Sequence, residues 1–160
     1  MREKIIVADT SILICFAAAK KLSLLKKLAG KLIIPQAVYE EIAVKGKPGE
    51  YEVMASDWIE VKAIKGIEEM QKLPQHLGRG EKEAIALAGE IDGFLLIDDP
   101  SGRREAERQG IEFVGTLGIL QEAQAKRVIY KIKPILDELI TSGLRIHPKL
   151  YKEFLEKIGE

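Results

Sequence analysis

Short apolar runs alternate along the chain with longer segments in which apolar residues recur every three or four positions. Apolar runs of this length are typical of buried strands. The five predicted strands are residues 5–9 (IIVAD), 31–35 (KLIIP), 58–64 (WIEVKAI), 94–98 (FLLID) and 111–115 (IEFVG). Because the strands alternate with helical patterns, the sequence predicts an α/β domain with a mainly parallel central sheet.

The helical segments are bounded by proline and glycine. Pro35 and Pro100 suit a first helical turn, whereas Gly30 and Gly110 suit helix ends. Residues 46–76 are the least regular part, and "LPQHLGRG" at 73–80 is predicted to be a loop. The predicted helices are 10–30, 35–45, one near 50–56, 80–91, 100–109, 116–128, 132–142 and 148–158.

Composition limits the class of protein. A chain of 160 residues that is 46% hydrophobic is enough for one domain with a sizeable core. We expect no membrane span, because no apolar run approaches about 20 residues. We also expect no signal peptide at residues 1–8, because this segment is too short for one. The single Cys15 excludes an internal disulfide framework, and we expect a buried thiol in a cytoplasmic protein.

Charge adds two further expectations. Lys plus Arg and Asp plus Glu are 25 each, which argues against a strongly basic nucleic-acid-binding surface but leaves room for a local basic patch. The chain contains no Asn and only three Met, and 31% of its residues are charged. This composition is typical of proteins from hot environments.

Acidic residues follow two of the predicted strands. Asp9 ends the first strand, and Asp98 and Asp99 end the fourth. In a parallel sheet, ligands bind at the carboxyl ends of the strands, where the strand order switches. If the two strands are neighbours, three carboxylates meet at one edge of the sheet.

Helical phase selects two further acids. At 100° per residue, Glu41 lies about 80° from the centre of its helix's apolar stripe, and Glu40 lies about 180° from it. In the next acidic helix, Glu81 lies about 50° from the stripe and Glu83 about 110°. The phase therefore predicts that Glu41 and Glu81 face inward, while Glu40 faces water.

Each acid also has a purely structural explanation. Asp99 precedes Pro-Ser-Gly and suits a helix N-cap, and Asp9 could cap the following helix in the same way. Glu81 in a first turn would interact favourably with the helix dipole. These explanations do not account for Asp98 beside Asp99 together with the inward-facing glutamates.

Several carboxylates in one partly buried place raise one another's pKa unless a cation offsets their charge. Oxygen ligands without a His or Cys set favour Mg²⁺ or Mn²⁺ over zinc. One or two such ions support phosphodiester hydrolysis by activating water and stabilising the leaving oxygen.

Four segments, in this order and spacing, resemble PIN domains, the fold of metal-dependent ribonucleases. They are "IIVADTSILI", "IPQAVYEEI", "GRGEKEAIALA" and "LLIDDPSGRREAE". The resemblance implies a three-layer α/β/α fold over residues 1–160, with a core of about 4–130 and extra C-terminal helices over about 131–160. It also implies an RNA substrate, a homodimer and, as in many PIN domains, a toxin paired with a small antitoxin protein.

The resemblance also assigns roles to the acids as Mg²⁺ or Mn²⁺ ligands. It makes Asp9 the first acid, Glu41 the second and Glu81 the third, where many relatives have Asp. The fourth acid is Asp98 or Asp99; the strand ending favours Asp99, which makes Asp98 a supporting or alternate ligand. Thr10 or Ser11 matches the hydroxyl position that steadies the first Asp.

Three arginines flank these acids and could bind phosphate: Arg79, Arg103 and Arg104. The alternative for the last two is a solvated helix face. The leading hypothesis is a metal-dependent endoribonuclease, and the alternative is a non-catalytic RNA- or protein-binding PIN-like module. A phosphotransfer enzyme with Asp9 as nucleophile is disfavoured because Ser11 stands where a second Asp is usual.

Overall fold

The computed structural model describes residues 4–44, 46 and 49–160, and the sheet within them has five strands. The strands are β1 (Ile6–Ala8), β2 (Leu32–Pro35), β3 (Ile59–Lys62), β4 (Phe94–Leu96) and β5 (Phe113–Val114). Their order is β3-β2-β1-β4-β5, and all four neighbouring pairs are parallel. The predicted α/β architecture with a mainly parallel sheet is confirmed.

Ten helices accompany these strands in the described part of the chain. They are α1 (Thr10–Ala18), α2 (Leu22–Ala29), α3 (Gln36–Ile42), α4 (Glu50–Met54), α5 (Ile67–Gln71), α6 (Arg79–Glu90), α7 (Pro100–Arg108), α8 (Thr116–Ala125), α9 (Lys133–Thr141) and α10 (Pro148–Ile158). None of the helices in those residues is long and apolar enough to cross a membrane.

The sheet separates two apolar clusters. Successive side chains of a strand point to opposite faces, so Ile6 and Ala8 join one cluster and Val7 the other. The first cluster contains apolar residues of α1, α2, α3 and α8, and the second contains those of α6 and α7. Helices therefore cover both faces, which gives three α/β/α layers.

The C-terminal helices are part of the first apolar cluster. Leu136 and Leu139 of α9 and Phe154 and Leu155 of α10 are buried in it together with Ile6 of β1. The segment at about 131–160 therefore packs against the same core as the central strand.

The strand order switches between β1 and β4. The chain runs from β1 outward through β2 to β3, and then returns to place β4 on the other side of β1. Ala8 lies opposite Leu96, and the backbone N–H of Asp9 donates to the carbonyl of Leu96 at 3.2 Å. The chain ends of β1 and β4 are therefore adjacent, which is the arrangement in which α/β sheets bind ligands.

The predicted helix over 10–30 is interrupted. Lys20 has φ +58°, its N–H donates to the carbonyl of Ala17, and the N–H of Lys21 donates to the carbonyl of Phe16. This pair of hydrogen bonds is a Schellman motif, which ends α1. The predicted stop at Gly30 is confirmed, since it adopts φ +71° after α2.

Other boundaries differ from the predictions by a few residues. The helix after β2 ends at Ile42, and the predicted end at Lys45 lies outside the described residues. β3 is confined to 59–62, and α5 was not predicted. The loop predicted over 73–80 ends earlier, because α6 begins at Arg79.

Candidate metal centre

Asp9 lies at the switch point, directly after β1. Its side chain is only 1% exposed, and one carboxylate oxygen caps α1 by accepting the N–H of Ile12 at 3.1 Å. The pKa of Asp9 is raised to about 8, mainly by burial and also by the nearby charges of Asp98, Glu81 and Asp99, while the Ile12 N–H opposes the shift. Asp9 is thus a desolvated carboxylate within electrostatic reach of three others.

Asp98 and Asp99 follow β4 and make different contacts. Asp98 accepts two hydrogen bonds from Thr116 at the start of α8, from the backbone N–H at 2.7 Å and from the hydroxyl at 2.6 Å. These bonds engage both of its oxygens. One oxygen of Asp99 accepts the N–H of Gly102 at 2.8 Å and caps α7, as the capping interpretation predicted.

Glu41 reaches the site from α3. Its carboxylate accepts the hydroxyl of Thr10 at 2.5 Å and the backbone N–H of Gly80 at 3.0 Å. The side chain is partly buried, whereas Glu40 is exposed, so the phase prediction for this helix is confirmed. Glu41 therefore connects the beginnings of α1 and α6.

Glu81 is the third residue of α6. Its carboxylate accepts the N–H of Gly78, the residue that precedes the helix, which is one half of a capping box. The pKa of Glu81 is raised to about 7, mainly by burial and also by the charges of Asp99 and Glu41. A hydrogen bond with Asp99 also favours the protonated form, so these two carboxyl groups face each other.

The phase prediction for α6 is wrong in one respect. Glu83, predicted to lie farther from the apolar stripe than Glu81, is only 5% exposed. The reason is that α3 packs on this side of α6, where Glu83 accepts the backbone N–H of Ala37 at 3.1 Å and a hydrogen bond from Arg79 at 3.2 Å. A single-helix phase cannot indicate a second packing partner.

The resemblance implies that the hydroxyl group of Thr10 or Ser11 steadies Asp9, and the structure places these groups differently. Thr10 donates to Glu41 rather than to Asp9, and Ser11 is exposed. The hydroxyl residue that the sequence reasoning missed is Thr116. Its only sequence signal was a position after a predicted strand, and its pairing with Asp98 spans 18 residues.

The three arginines occupy different environments. Arg79 forms ion pairs with Glu40 at 2.6 Å and Glu83 at 3.2 Å. Arg104 donates to the hydroxyl of Ser101 at 3.0 Å. Arg103 lies over the ring of Phe113 at 5.3 Å from its centroid.

Five acids are called the site acids below: Asp9, Glu41, Glu81, Asp98 and Asp99. Several acids elsewhere in the described residues form ion pairs, whereas these five do not. Within residues 4–44, 46 and 49–160, ion pairs with Lys or Arg include Glu40, Glu83 and Glu105 but none of the site acids. Among the same residues, no three or more Asp, Glu, His or Cys side chains have the arrangement of a formed metal site. Their contacts instead are the local hydrogen bonds described above.

The donor set fits a hard divalent cation. All the donors are carboxylate oxygens, as Mg²⁺ and Mn²⁺ prefer. A buried carboxylate such as Asp9 is costly to ionise without a compensating positive charge, and the described residues supply no ion pair to it. The chemistry of the residues, rather than a preformed cage, is what makes this place a candidate metal centre.

The parallel sheet, the helices on both faces and the acids at the switch point together define an α/β protein with a carboxylate-rich site at the ends of its central strands. A family model described as PIN domain (DUF3368) matches residues 5–160. This chain therefore belongs to the PIN-domain family, whose members are generally nucleases and typically depend on divalent metals. The match includes the C-terminal helices. No curated protein matches the chain in sequence.

Proposed function

We propose that this protein is a Mg²⁺- or Mn²⁺-dependent endoribonuclease that hydrolyses RNA phosphodiester bonds. The observation that carries the proposal is the group of site acids at the sheet's switch point, which lack ion pairs among the described residues. Glu83 and Glu105 are buried, as Asp9 is, but each of them has an arginine partner. Membership of a family of metal-dependent nucleases supports the same chemistry.

In this proposal Asp9, Glu81 and Asp99 hold the cation, and Glu41 completes the set of oxygen donors. Held by these carboxylates, a divalent cation would supply water activation and charge stabilisation for the hydrolysis. Thr10 holds the Glu41 carboxylate in place through its hydroxyl. Thr116 does the same for Asp98, which supports the turn after β4 rather than offering a free oxygen.

The protonation state of Asp9 and Glu81 controls whether they can bind a cation. The raised pKa values of Asp9 and Glu81, about 8 and about 7, mean that protons must leave before both acids can act as ligands. We therefore expect cation binding and cleavage to strengthen as the pH rises through 7 to 8.

The test is cleavage of a mixed RNA pool in Mn²⁺, compared with EDTA and with the Asp9→Asn variant. We expect cleavage only with the metal and the intact Asp9. Asp92→Asn is the matched control, because Asp92 is exposed, precedes β4 while Asp98 and Asp99 follow that strand, and adopts φ +49°, which Asn tolerates. Activity that survives both EDTA and Asp9→Asn would overturn the proposal.

The competing function is a non-catalytic module that binds RNA or protein. Its specific support is that Glu81 already caps its own helix through Gly78, so this acid has a structural role without a metal. The same assay decides between the two, because such a module would bind RNA without cleaving it in Mn²⁺.

We also propose a toxin role with a small antitoxin, and a cytoplasmic homodimer. The lone buried Cys15 supports a reducing compartment.

Exposed apolar side chains of α4 support a protein-contact surface: Tyr51 is 78% exposed and Met54 is 45% exposed. Light scattering should report a dimer for the wild type and a monomer for Tyr51→Glu; a monomeric wild type would contradict this assignment.

A further inference from the structure

The arginines near the acids are not equivalent as phosphate ligands. Arg79 already pairs with two carboxylates, Glu40 and Glu83, and Arg104 donates to the hydroxyl of Ser101 at 3.0 Å. Arg103 forms no ion pair with any described residue and keeps its charge available. Among the three, Arg103 is the one whose unpaired guanidinium group lies over an aromatic ring, which leaves its N–H donors available.

Phe113 of β5 holds that guanidinium group. The Arg103 Cζ atom lies 5.3 Å from the centroid of the Phe113 ring. An aromatic ring under a planar cation attracts it and limits its orientation, while the N–H groups at the edge stay available to a ligand. An arginine ordered in this way loses less freedom when it binds an anion.

Gly115 shows how close Arg103 is to the acids. A methyl group at position 115 would lie 3.5 Å from Nη1 of Arg103 and only 2.5 Å from Oδ1 of Asp98. Both atoms therefore flank one small space at the end of β5. A side chain there would fill that space and displace Asp98, which explains a glycine with an ordinary φ of −98°.

Asp98 does not neutralise this arginine. Both oxygens of Asp98 accept hydrogen bonds from Thr116, at 2.7 and 2.6 Å, and Arg103 forms no ion pair with it among the described residues. The site thus has a cationic group beside its carboxylates. A phosphate that approaches a cluster of negative charges needs such a group, and arginine binds phosphate through two parallel N–H donors.

We propose that Arg103, ordered by Phe113, binds a backbone phosphate of the RNA at the edge of the acid site. This assignment rests on the proposed function for the identity of its ligand. A contact to phosphate positions the strand and carries no sequence information. Arg103 would therefore set affinity and register, not base preference.

The test measures binding of a fluorescein-labelled single-stranded RNA by anisotropy in EDTA, from 50 to 200 mM KCl. We expect Arg103→Ala to raise Kd about tenfold and to reduce the slope of log Kd against log salt by about 0.7, the value for one phosphate contact on a single strand. Arg104→Ala, on the next residue of the same helix, is the matched control and should change Kd less than about twofold.

Two further variants separate charge from orientation. Arg103→Lys keeps the charge but not the planar donor pair, so the salt slope should persist while Kd rises by about threefold. Phe113→Leu keeps the apolar residue but removes the stacking, so Kd should rise by a similar factor at an unchanged slope. A general loss of folding would instead impair binding equally in Arg103→Ala, Arg103→Lys and Arg104→Ala, because all three change the same helix.

Several results would overturn the assignment. These are equal salt slopes for Arg103→Ala and the wild type, an equal effect of Arg104→Ala, or no RNA binding by the wild type. Because EDTA prevents metal-dependent cleavage, the nuclease proposal is tested separately. A protein that binds RNA through Arg103 but cleaves none in Mn²⁺ would keep this assignment and overturn the nuclease proposal.

Discussion

The backbone N–H of Gly80, in the first turn of α6, donates to the carboxylate of Glu41 on α3 at 3.0 Å. A methyl group at position 80 would lie 2.8 Å from one oxygen of Glu41, 2.9 Å from the other and 2.8 Å from the hydroxyl of Thr10. Only glycine permits this approach. The position of a candidate ligand therefore depends on a missing side chain on a neighbouring helix.

Gly80→Ala should displace Glu41 and impair the site. We expect a loss of Mn²⁺ affinity of about 10- to 100-fold, as for other changes to groups that orient metal ligands, measured by titrating Mn²⁺ in the cleavage assay. Gly89→Ala is the matched control in the same helix, because its methyl group would meet nothing closer than 3.7 Å. It should leave Mn²⁺ affinity unchanged and stabilise the protein by up to about 1 kcal/mol. Equal Mn²⁺ affinities in the two variants would contradict the contact.

Stability in EDTA should fall as the pH rises. The folded-state pKa values of Asp9 and Glu81 are raised to about 8 and about 7, so between pH 4 and 8 the folded state holds protons that the unfolded state has lost. The free energy of unfolding therefore decreases over that range. We expect Tm to drop by roughly 5 °C or more between pH 5 and 8.5.

Mn²⁺ should reverse this effect, because it binds the deprotonated acids of the folded state. Differential scanning fluorimetry should show a larger Tm increase with Mn²⁺ at pH 8.5 than at pH 5.5. Asp9→Asn should flatten most of the pH dependence and abolish the Mn²⁺ effect at both pH values. A wild type with a flat, metal-insensitive Tm would argue against a shared cation site.

Asp98 and Asp99 should differ in function when each is changed to Asn. Asp99→Asn should abolish Mn²⁺-dependent cleavage without loss of stability, because Asn is as good an N-cap as Asp for the Gly102 N–H. Asp98→Asn should lower Mn²⁺ affinity by about 10-fold but retain cleavage at saturating Mn²⁺, since its contacts are to Thr116. Titrations of cleavage against Mn²⁺ measure both, and the reverse order of effects would exchange their roles.

Glu83 should matter for stability. In Glu83→Ala the buried N–H of Ala37 loses its acceptor and Arg79 loses an ion-pair partner, which should cost about 1–3 kcal/mol in urea unfolding. Glu83→Gln keeps an oxygen for Ala37 and should recover most of that loss. Glu40→Ala, at the exposed end of the same arginine network, should cost less than about 1 kcal/mol. Equal costs for Glu83→Ala and Glu40→Ala would show that the buried contact is unimportant.

The sequence determined the class of fold through local patterns. A short apolar run such as residues 94–98, which lies between helical patterns, is typical of a buried strand. Pro100 and Gly110 bound the helix that follows, at Pro100–Arg108. The same local logic put Asp9 and Asp99 at strand ends and identified Asp99 as an N-cap. These features depend on residues close in sequence, so the pattern alone was sufficient.

Tertiary structure decided which side chains meet. The burial of Glu83 depends on α3 packing against α6, and the bond between Thr116 and Asp98 depends on β5 lying next to β4. The break at Lys20 was hidden because a residue with φ > 0 need not be glycine when two backbone hydrogen bonds close the helix. The periodicity of one helix indicates its main apolar face but not a second helix that packs on another face. In the same way, the sequence separation of Arg103 and Phe113 does not indicate that their side chains stack. The carboxylates could therefore be named from sequence, but the contacts that orient them could not.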